Sequence, residues 1–107
     1  MSRWLVPLQI TPDTYSIGGT VRLSGTDYVY RLIWNTRTAR WVISLATQAG
    51  SEIIRGRTLT IYGDVLNRCT HAERPPGRLY VWAEDGQIRD FGHDELGTSV
   101  LLWYVVD

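Results

Sequence analysis

Residues 28–45 read YVYRLIWNTRTARWVISL, and this stretch decides the fold. Both halves alternate with the period of two that a strand imposes on its faces. Tyr28, Tyr30, Leu32 and Trp34 fall on one face, with Val29, Arg31 and Ile33 on the other. Trp41, Ile43 and Leu45 share a face against Val42 and Ser44. Between the halves stands the polar run from Asn35 to Arg40, with asparagine where a chain leaves a strand for a turn. The reading is a central antiparallel hairpin whose Trp41, Ile43 and Leu45 point into the core.

Working outward, Arg3 to Ile10 reads as a strand with Trp4, Val6 and Leu8 on one face. Pro7 denies the ladder a donor, which suits an edge strand, and Thr11-Pro12-Asp13 is a turn. Tyr15 to Leu23 alternates again, and Gly18-Gly19 inside it suggests a bulge. Ser24 to Asp27 is the turn into the hairpin. Beyond Leu45, Gly50 centres a turn, and two short strand pieces, Glu52 to Arg57 and Thr58 to Tyr62, flank Gly56. Gly63-Asp64-Val65-Leu66 is the one place that reads as a turn of helix, with Asp64 as its cap. Cys69 to Gly77 is an irregular connection; Arg78 to Glu84 alternates; Asp85-Gly86 signals a turn before the short return Gln87 to Phe91. The last strand, Thr98 to Val106, carries an unbroken apolar run that implies burial on both faces. Short strands at roughly 8–12-residue spacing with Gly and Pro between them indicate an all-β chain. The expected architecture is a small antiparallel β-barrel, closed or partly open, forming a single domain over residues 1–107.

A chain of 107 residues suits one core, and twelve aromatic residues supply it generously. The formal net charge is zero, which argues against a nucleic-acid or anionic-membrane surface. All eleven basic residues are arginine. That reflects either genome base composition or the preference of interfaces for a planar, stacking cation. Cys69 is the only cysteine, so an internal disulfide is excluded. The amino terminus lacks a signal-peptide core, and the apolar run from Val100 to Val106 is far short of the ~20 residues of a spanning helix. Soluble expression in the cytoplasm is expected.

Chemistry is sparse. Cys69, His71 and Glu73 alternate as a nucleophile, base and orienter might, but neighbouring strand positions do not give such groups their geometry. Asp90, His93, Asp94 and Glu95 form an oxygen-rich loop without the spacing of a calcium site. Phosphate-cradling, serine-elbow and zinc motifs are missing, so no catalytic, cofactor or metal residues are assigned. Tyr28, Tyr30, Tyr80 and Trp82, interleaved with Arg31 and Arg78, offer an alternative: an oligonucleotide-binding-like module that stacks single-stranded nucleic acid. Eleven acids cancelling eleven bases speak against it.

A series of landmarks runs the length of the chain. Gly25-x-x-Tyr28 leads to Arg31-Leu32-Ile33-Trp34-Asn35-x-Arg37 and Trp41-x-Ile43-x-Leu45. Gly63-Asp64-Val65-Leu66, Pro76-Gly77-x-Leu79 and Glu95-Leu96-Gly97-x-x-Val100-x-Leu102-x-Tyr104 follow. From about Leu8 to Val106 this series resembles the baseplate plug family of tailed bacteriophages. Trp34 before the hairpin asparagine and Asp90-Phe91-Gly92-His93 depart from that pattern. The resemblance implies a non-enzymatic part of the virion, made in the host cytoplasm and built into the tail baseplate beside hub, tube and spike proteins. It carries over no catalytic residue. The two terminal strands hold more apolar surface than one small core can cover. Arg3, Trp4, Leu5, Val6, Arg78, Leu101, Trp103 and Val105 are therefore the expected interface. Self-association, if it follows the tail axis, would be threefold or sixfold.

Overall fold

The hairpin forms the middle of a four-stranded antiparallel sheet. β2 (Ser16–Leu23), β3 (Thr26–Asn35), β4 (Arg40–Thr47) and β5 (Glu52–Thr58) lie side by side in chain order. A three-stranded sheet orders β1 (Ser2–Val6), β7 (Val100–Val106) and β6 (Arg78–Ala83), with β7 central and both pairings antiparallel. The computed structural model describes residues 2–6, 8, 10, 13–67, 69–72, 74–84, 86, 91–97 and 99–106. Among them there is no helix, and the ladders remain two sheets without closing into a barrel. Inner residues of both sheets meet in one hydrophobic cluster. Pro7, Glu73, Asp90, the Thr11-Pro12 turn, Asp85 and most of its expected return lie outside the described residues.

β3 and β4 pair in the register the alternation implies, Leu32 opposite Ile43 and Trp34 opposite Trp41. Trp41, Ile43 and Leu45 are buried, with Trp41 fully enclosed. The loop is tighter than expected, residues 36–39 only, because Asn35 Oδ1 accepts from the backbone N–H groups of Arg37 and Thr38. The turn between β2 and β3 likewise shrinks to Ser24-Gly25. Both residues have positive φ, 52° and 79°, the two-residue geometry that matches strand twist.

Four expectations are corrected. Gly18 and Gly19 make no bulge: β2 pairs with β3 in unbroken register from Ser16 to Leu23. Instead they make room, since a Cβ on Gly19 would sit 3.4 Å from the Tyr30 ring and one on Gly18 would sit 3.2 Å from the Tyr30 carbonyl. Of the two expected pieces around Gly56, the first becomes β5, with register shifts against β4, but the second, beyond Thr58, is no strand, only an isolated bridge from Ile61 to Val81. The expected helical turn at Gly63–Leu66 is a loop, because Asp64 serves β6 as well as its own turn. Its carboxylate accepts from the N–H groups of Leu66 and Leu79 at 3.0 and 3.2 Å, and Val65 N–H donates to the Leu79 carbonyl. Finally, β7 is buried on its inner face, while on its outer face Val105 is buried and Leu101 and Trp103 are half-buried. Its central position, flanked by two strands, accounts for the unbroken apolar run.

Arginine organises the connection between β5 and β6. Arg74 donates to four backbone carbonyls, those of Leu66, Cys69, Pro75 and Gly77, at 3.0–3.1 Å. Arg57 donates to the carbonyls of Val65 and Asn67. A guanidinium carries five donors in a rigid fork, which suits carbonyls converging from an irregular loop. Arg74→Ala is expected to lose ~1.5–3 kcal/mol of stability, the range for hydrogen bonds to a charged group. Arg74→Lys should recover only part of it, as equilibrium urea unfolding would show.

Candidate interaction surface

β7 is the spine of the surface. Its alternation turns Val100, Leu102 and Tyr104 inward and Leu101, Trp103 and Val105 outward. Leu5 and Tyr80 lie opposite Trp103 from either side; Arg3 and Arg78 lie opposite Val105; Trp82 lies opposite Leu101. Directly opposed residues share a face. The outer side of this sheet is therefore three rows: Arg3–Val105–Arg78, Leu5–Trp103–Tyr80 and Leu101–Trp82.

The rings are arranged as a cluster. Tyr80 and Trp82 stack at 6.0 Å and 12°, Trp103 lies 6.3 Å from Trp82, and Tyr62 approaches Trp82 from the loop at 6.2 Å. The Arg3 guanidinium sits 4.6 Å from the Trp103 centroid and 5.5 Å from that of Trp82, a cation held over aromatic faces. A depression of about 490 Å³ opens here, lined by Arg3, Trp82, Ala83, Glu84, Leu101 and Trp103. The outer side of the four-stranded sheet is different. There Val29 and Ile33 are separated by Arg31, with Thr20, Gly18 and Ser44 beside them.

Six of the expected interface residues thus share one face, although Val105, flanked by the two arginines, is buried. Strand alternation removes the other two. Val6 belongs to the core at 5% exposure. Trp4, 55% exposed, lies at the sheet edge on the inner side, 6.3 Å from the Tyr104 ring. Sequence reading missed Tyr62, Tyr80 and Trp82 as members of this face; the i, i+2 spacing of Tyr80 and Trp82 was the available signal.

The remaining landmarks are structural. Tyr28, Leu66, Leu96 and Tyr104 are buried, Trp34 packs half-buried on the core, and Gly63 and Gly97 sit in turns. Gly77 is needed for a close approach: its N–H donates to the Tyr104 hydroxyl, and a Cβ there would meet the Val105 carbonyl at 2.4 Å. The same hydroxyl bonds Ser24 Oγ at 2.8 Å, which links the two sheets.

The structure divides the four rings of the nucleic-acid reading between two sheets. Tyr28 and Tyr30 face the core side of the four-stranded sheet, whereas Tyr80 and Trp82 face outward from the other. The thiol and the imidazole have different partners. Cys69 is buried with Sγ directed at the Ile53 carbonyl, and His71 Nε2 lies 3.0 Å from Ser51 Oγ. Among the described residues, no group of three or more His, Cys, Asp or Glu side chains is placed to hold a metal ion.

Compared with known protein families, residues 3–107 match the family described as cyanophage baseplate Pam3 plug gp18. The chain belongs to that baseplate plug family. Comparison with curated proteins yields no match. Membership identifies a structural protein of the phage tail baseplate, and the matched residues include strands of both sheets.

Proposed function

We propose that this plug is a non-enzymatic assembly part, made in the host cytoplasm, that holds neighbouring hub, tube or spike subunits through the outer face of the β1-β7-β6 sheet. Family membership supports the baseplate role. The observation that carries the surface is the continuous row Leu5–Trp103–Tyr80 beside Leu101–Trp82, capped by Arg3 and Arg78. Aromatic residues and arginine are enriched, and acids depleted, where protein surfaces dock. We further propose that the plug acts as one folded unit, in a copy number that follows the threefold or sixfold symmetry of the tail axis. Cryo-electron microscopy of assembled tails tests this. The expected result is the plug in the baseplate with this sheet against a different subunit. A plug absent from the particle, or one that presents the sheet to solvent, would refute it.

A further inference from the structure

We propose that His93 is a proton-dependent latch: as an imidazolium it hydrogen-bonds both its loop neighbour Asp94 and the Thr14 carbonyl before β2, and deprotonation removes one of these two bonds and loosens the loop that feeds β7. The inference rests on contacts away from the docking face and stands independently of the proposed function.

His93 lies in residues 91–97, between β6 and β7. Its Nδ1 is 2.6 Å from Asp94 Oδ1, and its Nε2 bonds the backbone carbonyl of Thr14, just before β2. A neutral imidazole has one N–H and one lone pair. Both partners here are acceptors, so only the doubly protonated ring donates to both. The neutral ring would turn a lone pair on an oxygen and lose that contact.

The rest of the setting suits a cation. The ring stacks on Trp41 at 5.2 Å and 24°, meets Trp34 edge-on at 5.3 Å, and lies 4.9 Å from the Tyr15 ring. Aromatic faces attract a positive charge. The side chain is 14% exposed, against 72% for Asp94. The groups that face it are Asp94 from its own loop, Thr14 and Tyr15 from the segment before β2, Trp34 from β3 and Trp41 from β4. Of these only Asp94 is charged at neutral pH. The charged residues adjacent along those elements are Asp13, Arg40 and Glu95, and Glu95 accepts from the Gly92 N–H.

Burial pulls the His93 pKa down, but the hydrogen bonds to Asp94 and Thr14 and the Asp94 charge outweigh it, so it rises above 6.5. A histidine raised on folding contributes stability that is complete below the unfolded value of about 6.5. That contribution is lost as pH climbs through the higher folded value. The loosening is local to a junction. The His93 carbonyl accepts from Trp41 Nε1 at 3.1 Å, Tyr15 carbonyl accepts from Trp34 N–H, and Glu95 carbonyl accepts from Val100 N–H at the start of β7. The latch therefore ties β7, the centre of the three-stranded sheet, to the core hairpin.

The test is an imidazole ¹H–¹⁵N titration of the wild-type protein from about pH 5 to about pH 9, spanning the ordinary histidine value. His71 is the second signal, and His93→Gln assigns the pair. The expected result is a His93 midpoint above 6.5 with both ring nitrogens protonated below it, a lower midpoint in Asp94→Asn, and faster amide exchange at residues 92–97 once the ring deprotonates, after correction for intrinsic rates. A midpoint at or below 6.5, a midpoint indifferent to Asp94→Asn, or exchange that ignores the titration would each overturn the latch.

Discussion

Replacing Trp41 with alanine is expected to remove ~3–5 kcal/mol of stability, the usual cost of emptying a large aromatic site. Trp41 is fully enclosed near the start of β4 and packs edge-on against Trp34 at 5.5 Å and face-on against His93. Its Nε1 donates to the His93 carbonyl, so the substitution also strips a hydrogen bond from the loop that leads into β7. Small proteins hold only ~5–15 kcal/mol in all, so the alanine variant should be largely unfolded or have a sharply lowered urea midpoint. Trp41→Phe separates the two effects. It keeps most of the ring volume and loses the donor, which should cost about 1–3 kcal/mol for an acceptor left unpaired. An alanine variant with an unchanged midpoint would show that the core does not depend on this side chain.

The hairpin was legible because period-two alternation is strict there and one face is wholly apolar, so only one register buries Trp41, Ile43 and Leu45. The division into two sheets was not. Alternation tells which residues share a face, but not whether the first and last strands pair with each other or close on the middle ones. β1 pairing with β7, residues nearly a chain length apart, is a tertiary choice with no local signature. Glycine misled for a related reason. A Gly-Gly pair in a strand signals either a bulge or a crowded neighbour, and only the Tyr30 side chain across the ladder decides. Polar loops were the least legible. Asp64 reads as a helix cap until Leu79, from another strand, donates to its carboxylate. Arg74 lies in a stretch legible only as an irregular connection, and the four carbonyls that converge on it have no sequence signal. His93 stood in an oxygen-rich loop without a calcium site's spacing, and nothing local to residues 90–95 announces the rings of Tyr15, Trp34 and Trp41. The outward aromatic face was half legible, since the apolar terminal strands pointed to it while alternation within β1 split Leu5 from Trp4 and Val6.

Placing a charge in the aromatic face should abolish docking while leaving the fold. Leu5→Glu and Trp82→Glu lie on β1 and β6, on either side of β7, and point outward from the core. Leu5 is 47% exposed, so glutamate there stays in water in the free protein and the unfolding midpoint should shift little. Trp82 also meets Tyr62, Tyr80, Trp103 and Arg3, so its loss should cost somewhat more. In the assembled state either carboxylate would be buried among rings. Truncating a central aromatic anchor alone costs about 2 kcal/mol or more, ~30-fold in affinity, and an unpaired charge adds to it. Incorporation of the variants into tail particles should therefore fall by at least ~30-fold. Ile33→Glu supplies the comparison. Ile33 is equally exposed, at 45%, but on the outer side of the four-stranded sheet, between Ser16 and Val42 and away from the aromatic cluster. It should assemble as wild type. Equal loss in all three variants would mean that assembly reads general surface charge, and normal incorporation of Leu5→Glu and Trp82→Glu would place the docking face elsewhere on the plug.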